Sequence, residues 1–257
     1  MWSKPVPRRP LIVLLLALSA LAWLALGWWG RSPYSRFVSH HALETAVQDP
    51  TLAPLFIVGW VVMTVAMMLP TTVPLVALFG TLTRRRRLPA GLVSLLIAGY
   101  IGAWALFGAA LYAGDWVLHR AVEASEALAD QAWRFSALIV LLAGVYQFTP
   151  LKYHCLDKCR SPLGFIATHW HGNSDWREAL LLGVRHGLFC IGCCWSLMLL
   201  MFAVGAGSLG WMLVLGAVMA AEKNLPQGRR LSAPLGVTLL LWGAVLLLAG
   251  APAAHVH

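Results

Sequence analysis

The chain has 257 residues and a net charge of +9, with 60% hydrophobic and only 11% charged residues. That balance excludes an ordinary soluble domain, in which about a quarter of the residues are charged. The surplus of Lys and Arg is also not a nucleic-acid signature, because it is distributed along the chain as membrane topology signals are.

The sequence predicts an all-α, polytopic transmembrane helix bundle of about seven spans, each needing about 20 mostly apolar residues. Continuous rather than alternating apolar runs favour helices over a barrel. The first span, Leu11 to Trp29, follows Arg8 and Arg9. Its apolar core outruns a signal-peptide core of about 7 to 15 residues and ends in Trp28 and Trp29, so it is expected to be retained. An outer loop from Gly30 to Ala53 carries His40 and His41.

The second span, Leu55 to Gly80, holds Met63, Met67, Met68, Pro70 and Pro74. Prolines at this spacing leave carbonyls without helical donors and are expected to kink or open the helix. Arg84 to Arg87 then form a basic topology anchor. A third span, Gly91 to Tyr112, leads into the outer segment Asp115 to Gln131, which has the composition of a short interfacial or capping helix.

The fourth span, Trp133 to Phe148, is short. After it comes the longest connection, an inner Cys- and His-containing loop from Thr149 to Trp176, with His154, Cys155, Cys159, His169 and His171. Ala179 to Gly205 is the fifth span, the short Gly210 to Glu222 the sixth, and Leu231 to Gly250 the seventh. His255 and His257 lie beyond it. No repeat or long linker divides the chain, so residues 1–257 are expected to form one integral membrane domain. With the N-terminus cytoplasmic, the inner side carries about fourteen Lys and Arg and the outer side four, Arg31, Arg36, Arg120 and Arg134, which places the C-terminus outside.

The fifth span concentrates three of the five cysteines within five positions. At about 100° per residue, His186, Cys190, Cys193, Cys194, Met198 and Met201 fall within roughly 140° of one another, on one helix face. Cysteine and methionine also pack as ordinary apolar residues. Gly192 beside them permits a neighbouring helix to approach closely. In the second span Met63 and Met67 share a face with the two prolines. In the inner loop the C-x3-C spacing returns Cys155 and Cys159 to one face if that segment is helical, with His154 adjoining and His169 and His171 available to complete a site.

Thiolates and thioethers with a few imidazoles select Cu(I), with Zn(II) a second choice that has little use for methionine. The ligand set expected is Cys190, Cys193, Cys194, Met198, Met201 and His186, with Met63, Met67 and Met68 from the second span. His154, Cys155 and Cys159 would form an inner donor or acceptor site. No catalytic acid, base or nucleophile is required. Two rivals stay open: a thiol redox enzyme cycling Cys190 and Cys193 through a disulfide, and a structural assembly subunit. Arg185, inside the fifth span, is expected to pair with Glu222 or Glu178 or to snorkel to the interface.

Four stretches also resemble a known family. They are "AMMLP" (Ala66–Pro70), "YQFTPLKYHCLDKCRSP" (Tyr146–Pro162), "CIGCCWSLMLLMFAVG" (Cys190–Gly205) and "AEKNLPQG", which begins at Ala221. They look like the bacterial family of predicted metal-binding integral membrane proteins associated with copper chaperone function for polyphenol oxidase, or tyrosinase-type, enzymes. The resemblance covers roughly residues 55–250. It implies copper handling and a copper-dependent partner enzyme, and fits a multi-pass protein of the bacterial inner membrane.

Overall fold

The computed structural model describes residues 8–30, 53–124, 132–172, 174–204 and 208–249, which form helices and their connections with no strand among them. In chain order the helices are α1 (Arg8–Trp29), α2 (Ala53–Met67), α3 (Val73–Leu82), α4 (Pro89–Glu123), α5 (Ala132–Tyr146), α6 (Pro150–Arg160), α7 (Pro162–His169), α8 (Asp175–Val204), α9 (Leu209–Asn224) and α10 (Ser232–Ala249). Short 3-10 turns at Pro70–Thr72 and Gly228–Leu231 precede α3 and α10.

Four stretches, Arg9–Trp29, Pro89–Leu118, Asp175–Met201 and Gly228–Leu248, are long and apolar enough to cross a bilayer. The pair α2 and α3 qualifies as a fifth if its 48° bend lies within one span. Helices α5 and α9, at 15 and 16 residues, fall short of the usual length for a crossing. Val13, Leu14 and Leu24 on α1 and Leu241 and Leu248 on α10 are more than half exposed, an apolar exterior that a water-facing protein rarely carries.

The bend between α2 and α3 follows from the prolines. Pro70 has no N–H for the Ala66 carbonyl one turn back. Ser19 of α1 supplies the missing donor, its Oγ lying 2.7 Å from the Ala66 oxygen. The Thr64 carbonyl meanwhile accepts from both Met68 and Leu69, and the Thr71 and Thr72 hydroxyls donate to the Met68 and Leu69 carbonyls. Met68 is thus held at the break itself. Ser19→Ala should strand the Ala66 carbonyl and cost about 1–3 kcal/mol. A lower thermal unfolding midpoint in detergent would register that loss, and an unchanged one would mean another donor replaces Ser19.

Helix α8 is central and packs most extensively on α4. Their backbones nearly touch: a Cβ at Gly183 would overlap the Leu96 carbonyl oxygen, and one at Gly99 the Leu180 carbonyl oxygen. Around α8 stand α5, α6 and α9 as well. One apolar cluster surrounds the cysteines of α8, and a second joins Leu11, Leu15, Leu75, Phe79, Leu96 and Phe165.

The connection from Thr149 to Trp176 is mostly helical, the condition under which its C-x3-C spacing returns Cys155 and Cys159 to one face, because Thr149 caps α6 by accepting from the Lys152 N–H while Pro150 and Pro162 start α6 and α7 without a wasted donor. One expectation is corrected: Asp115 to Glu123 continue α4 instead of opening a separate capping helix, while residues 125–131 of that segment lie outside the described residues.

Candidate metal centre

Every side chain of the sulfur stripe on α8 is buried: His186, Cys190, Cys193, Cys194, Met198 and Met201. Three other helices deliver partners to it. The tight α4–α8 seam brings the Tyr100 hydroxyl 3.1 Å from Cys190 Sγ. The break after α2 points Met68 inward, where its Sδ lies 3.9 Å from Cys194 Sγ. The last turn of α9 contributes Lys223, whose Nζ lies 2.9 Å from Cys190 Sγ, 3.5 Å from Met68 Sδ and 3.9 Å from Cys194 Sγ.

Helix α6 adds a second pair of thiols. Cys159 Sγ stands 4.0 Å from Cys193 Sγ. Cys155 is buried against Gly192, where a Cβ would come within 2.6 Å of its sulfur. The bare backbone at Gly192 therefore makes room for this thiol, and Tyr146 donates to the Gly192 carbonyl. Burial, reinforced by the neighbouring Cys193 sulfur, pushes the Cys155 thiol above its usual range, so it would release a proton on binding metal.

These distances suit a soft ion. Metal–sulfur bonds of about 2.3 Å place two ligating sulfurs about 4 Å apart at a trigonal angle. The Cys194–Met68 and Cys159–Cys193 separations match that spacing. Among the described residues, no three His, Cys, Asp or Glu side chains form a ready metal cage. The donor set therefore consists of sulfur pairs and a thioether around an ammonium group.

Other expected ligands are placed differently. Met63, Met67, Met198 and Met201 are buried in the same apolar cluster, and Met67 packs on Gly216 of α9. His186 is buried with its Nδ1 unpartnered, its ring 5.7 Å from Tyr100 and 5.4 Å from Phe165. His154 does not join the two α6 cysteines. It is exposed, with its ring 6.0 Å from Phe189. His169 is half-buried, its ring 4.5 Å from that of Phe165 and tilted to it, with Nδ1 2.9 Å from the Phe165 carbonyl oxygen. His171 is exposed. His40, His41, His255 and His257 lie outside the described residues.

Arg185 is exposed. Glu178 accepts from the His171, Gly172 and Ser174 backbone N–H groups. Glu222, fully enclosed, instead binds Lys152 of α6 at 2.8 and 3.0 Å and accepts from Ser232 Oγ at 2.6 Å. Gln147 also accepts from Lys152, and Arg160 donates to the Glu222, Leu225 and Pro226 carbonyls at the end of α9.

Lys223, Lys152 and Tyr100 carry no motif in the sequence, where both lysines count only among the inner-side positive charges. The signal that would have found them is the adjacent Glu222–Lys223 pair at the end of an apolar helix, since two opposite charges entering a packed interior each need a partner.

The buried thiols and thioether enclosed by these apolar helices are donors of the kind that soft metals take. The model of the PpoB2 family, described as a copper chaperone, matches residues 57–246, a span that contains every sulfur contact above. The chain belongs to that copper chaperone family. No curated protein and no solved structure matches it.

Proposed function

We propose that this chain is a multi-pass protein of the bacterial inner membrane that holds Cu(I) among buried sulfurs and delivers it to a copper-dependent oxidase. The short helices α5 and α9 complete seven crossings, with the N-terminus cytoplasmic. Cys190, Cys194 and Met68 form the holding site, with Met63, Met67, Met198, Met201 and His186 as its soft surroundings. Cys159 and Cys193, with Cys155 behind them, form the exchange pair on the cytoplasmic side. The ion moves between the pairs by ligand exchange, and the chain performs no catalysis.

The observation carrying this reading is the 3.9 Å approach of Cys194 Sγ to Met68 Sδ, two soft donors from different helices inside an apolar interior. Cu(I) is favoured over Zn(II) because the thioether is idle toward zinc. Competition titration of the purified protein with a Cu(I) chelator tests it. Wild type should retain copper that the Cys190→Ser/Cys193→Ser/Cys194→Ser variant loses, and equal affinity in both would remove the site from consideration.

A further inference from the structure

Lys223 is the feature that copper binding alone does not explain. A buried ammonium normally finds a carboxylate. The buried carboxylate beside it, Glu222, is already committed to Lys152 and Ser232. Among the described residues no carboxylate lies within ion-pair distance of Lys223, and its Nζ instead touches Cys190, Cys194 and Met68. A positive charge has been built into the ring of donors expected to hold a positive ion.

Resting on the copper reading above, we propose that Lys223 selects the charge of the metal, making the site specific for a monovalent ion held by two thiolates. The ligand form of cysteine is the thiolate. Cu(I) between the Cys190 and Cys194 thiolates carries one net negative charge, which the ammonium neutralises. A divalent ion between the same thiolates is already neutral, and the ammonium then leaves one positive charge uncompensated in an apolar interior, which is costly. Softness alone prefers Cu(I) to Zn(II), and the charge count extends that preference to Cd(II), which is soft but divalent.

The test compares Ag(I), a redox-inert monovalent soft ion, with Cd(II) on the full-length protein in detergent. Direct competition gives the ratio of the two affinities. Lys223→Leu should shift that ratio toward Cd(II) by about 10- to 100-fold, the range typical of losing a partner beside a metal ligand. Lys223→Arg keeps the charge and should stay near the wild-type ratio.

An unchanged ratio in Lys223→Leu overturns the proposal, as does a shift in Lys223→Arg as large as that in Lys223→Leu. Should Lys223→Leu fail to fold, Lys223→Gln against Lys223→Arg reads the same contrast, and Lys223→Arg alone still overturns the proposal if its ratio moves toward Cd(II) by ten-fold. The parent reading fails separately, if Cys190→Ser/Cys194→Ser binds Ag(I) as tightly as wild type.

Discussion

Glu222→Ala is expected to destabilise the protein by about 3–5 kcal/mol, the cost of leaving a buried charge without its partner. Lys152 has no exposed surface and Glu222 only 2%, so neither can turn to water when the other is lost. The carboxylate also accepts from Ser232, and the ammonium from Lys152 also reaches Gln147. Removing Glu222 therefore takes a partner from two groups at once, Lys152 and Ser232. The paired change Glu222→Leu/Lys152→Met should recover most of the loss, because two apolar residues of similar volume need no partner. Unfolding midpoints in detergent measure both. Single and paired variants with equal losses would mean that shape, not charge pairing, matters at this position.

Gly183→Ala should be the next most damaging change, at or above the upper end of the range of about 1–3 kcal/mol for overpacking. Its added Cβ meets the Leu96 carbonyl oxygen, and backbone cannot rotate aside as a side chain can. Helices α4 and α8 would have to part, drawing the Tyr100 hydroxyl away from Cys190. The variant should thus lose metal affinity together with stability. Gly102→Ala, on α4 but with nothing within 4 Å of its Cβ position, is the control. It should be neutral or stabilise by about 0.5–1 kcal/mol through reduced backbone freedom. If Gly183→Ala matches that control, the close helix contact does not set the position of Tyr100.

The helical class, the apolar character and the proline break were legible because each is written in consecutive residues. Pro70 removes a donor wherever it stands, so the opening after Met67 needs no knowledge of other helices. The sulfur stripe on α8 was equally legible, since helical period places Cys190 and Cys194 on one side without reference to a neighbour. What lies opposite that side was not. Tyr100, Met68 and Lys223 reach the cysteines from three helices, and their meeting depends on packing choices such as the absence of side chains at Gly99 and Gly183. His154 shows what adjacency in sequence leaves open. Adjacency to Cys155 in sequence puts two helical side chains about 100° apart, so one can be buried while the other is exposed.

Helix α6 is fastened to α9 at both ends of its length. Lys152 near its start grips Glu222, and Arg160 at its end donates to the carbonyls of Glu222, Leu225 and Pro226. Two rivets eight residues apart prevent one rod from swinging on the other. Cys155, Cys159 and Lys223 are therefore held as one rigid piece, so a rigid-body shift of α6 away from α8 would carry the ammonium away from Cys190 as it parts Cys159 from Cys193.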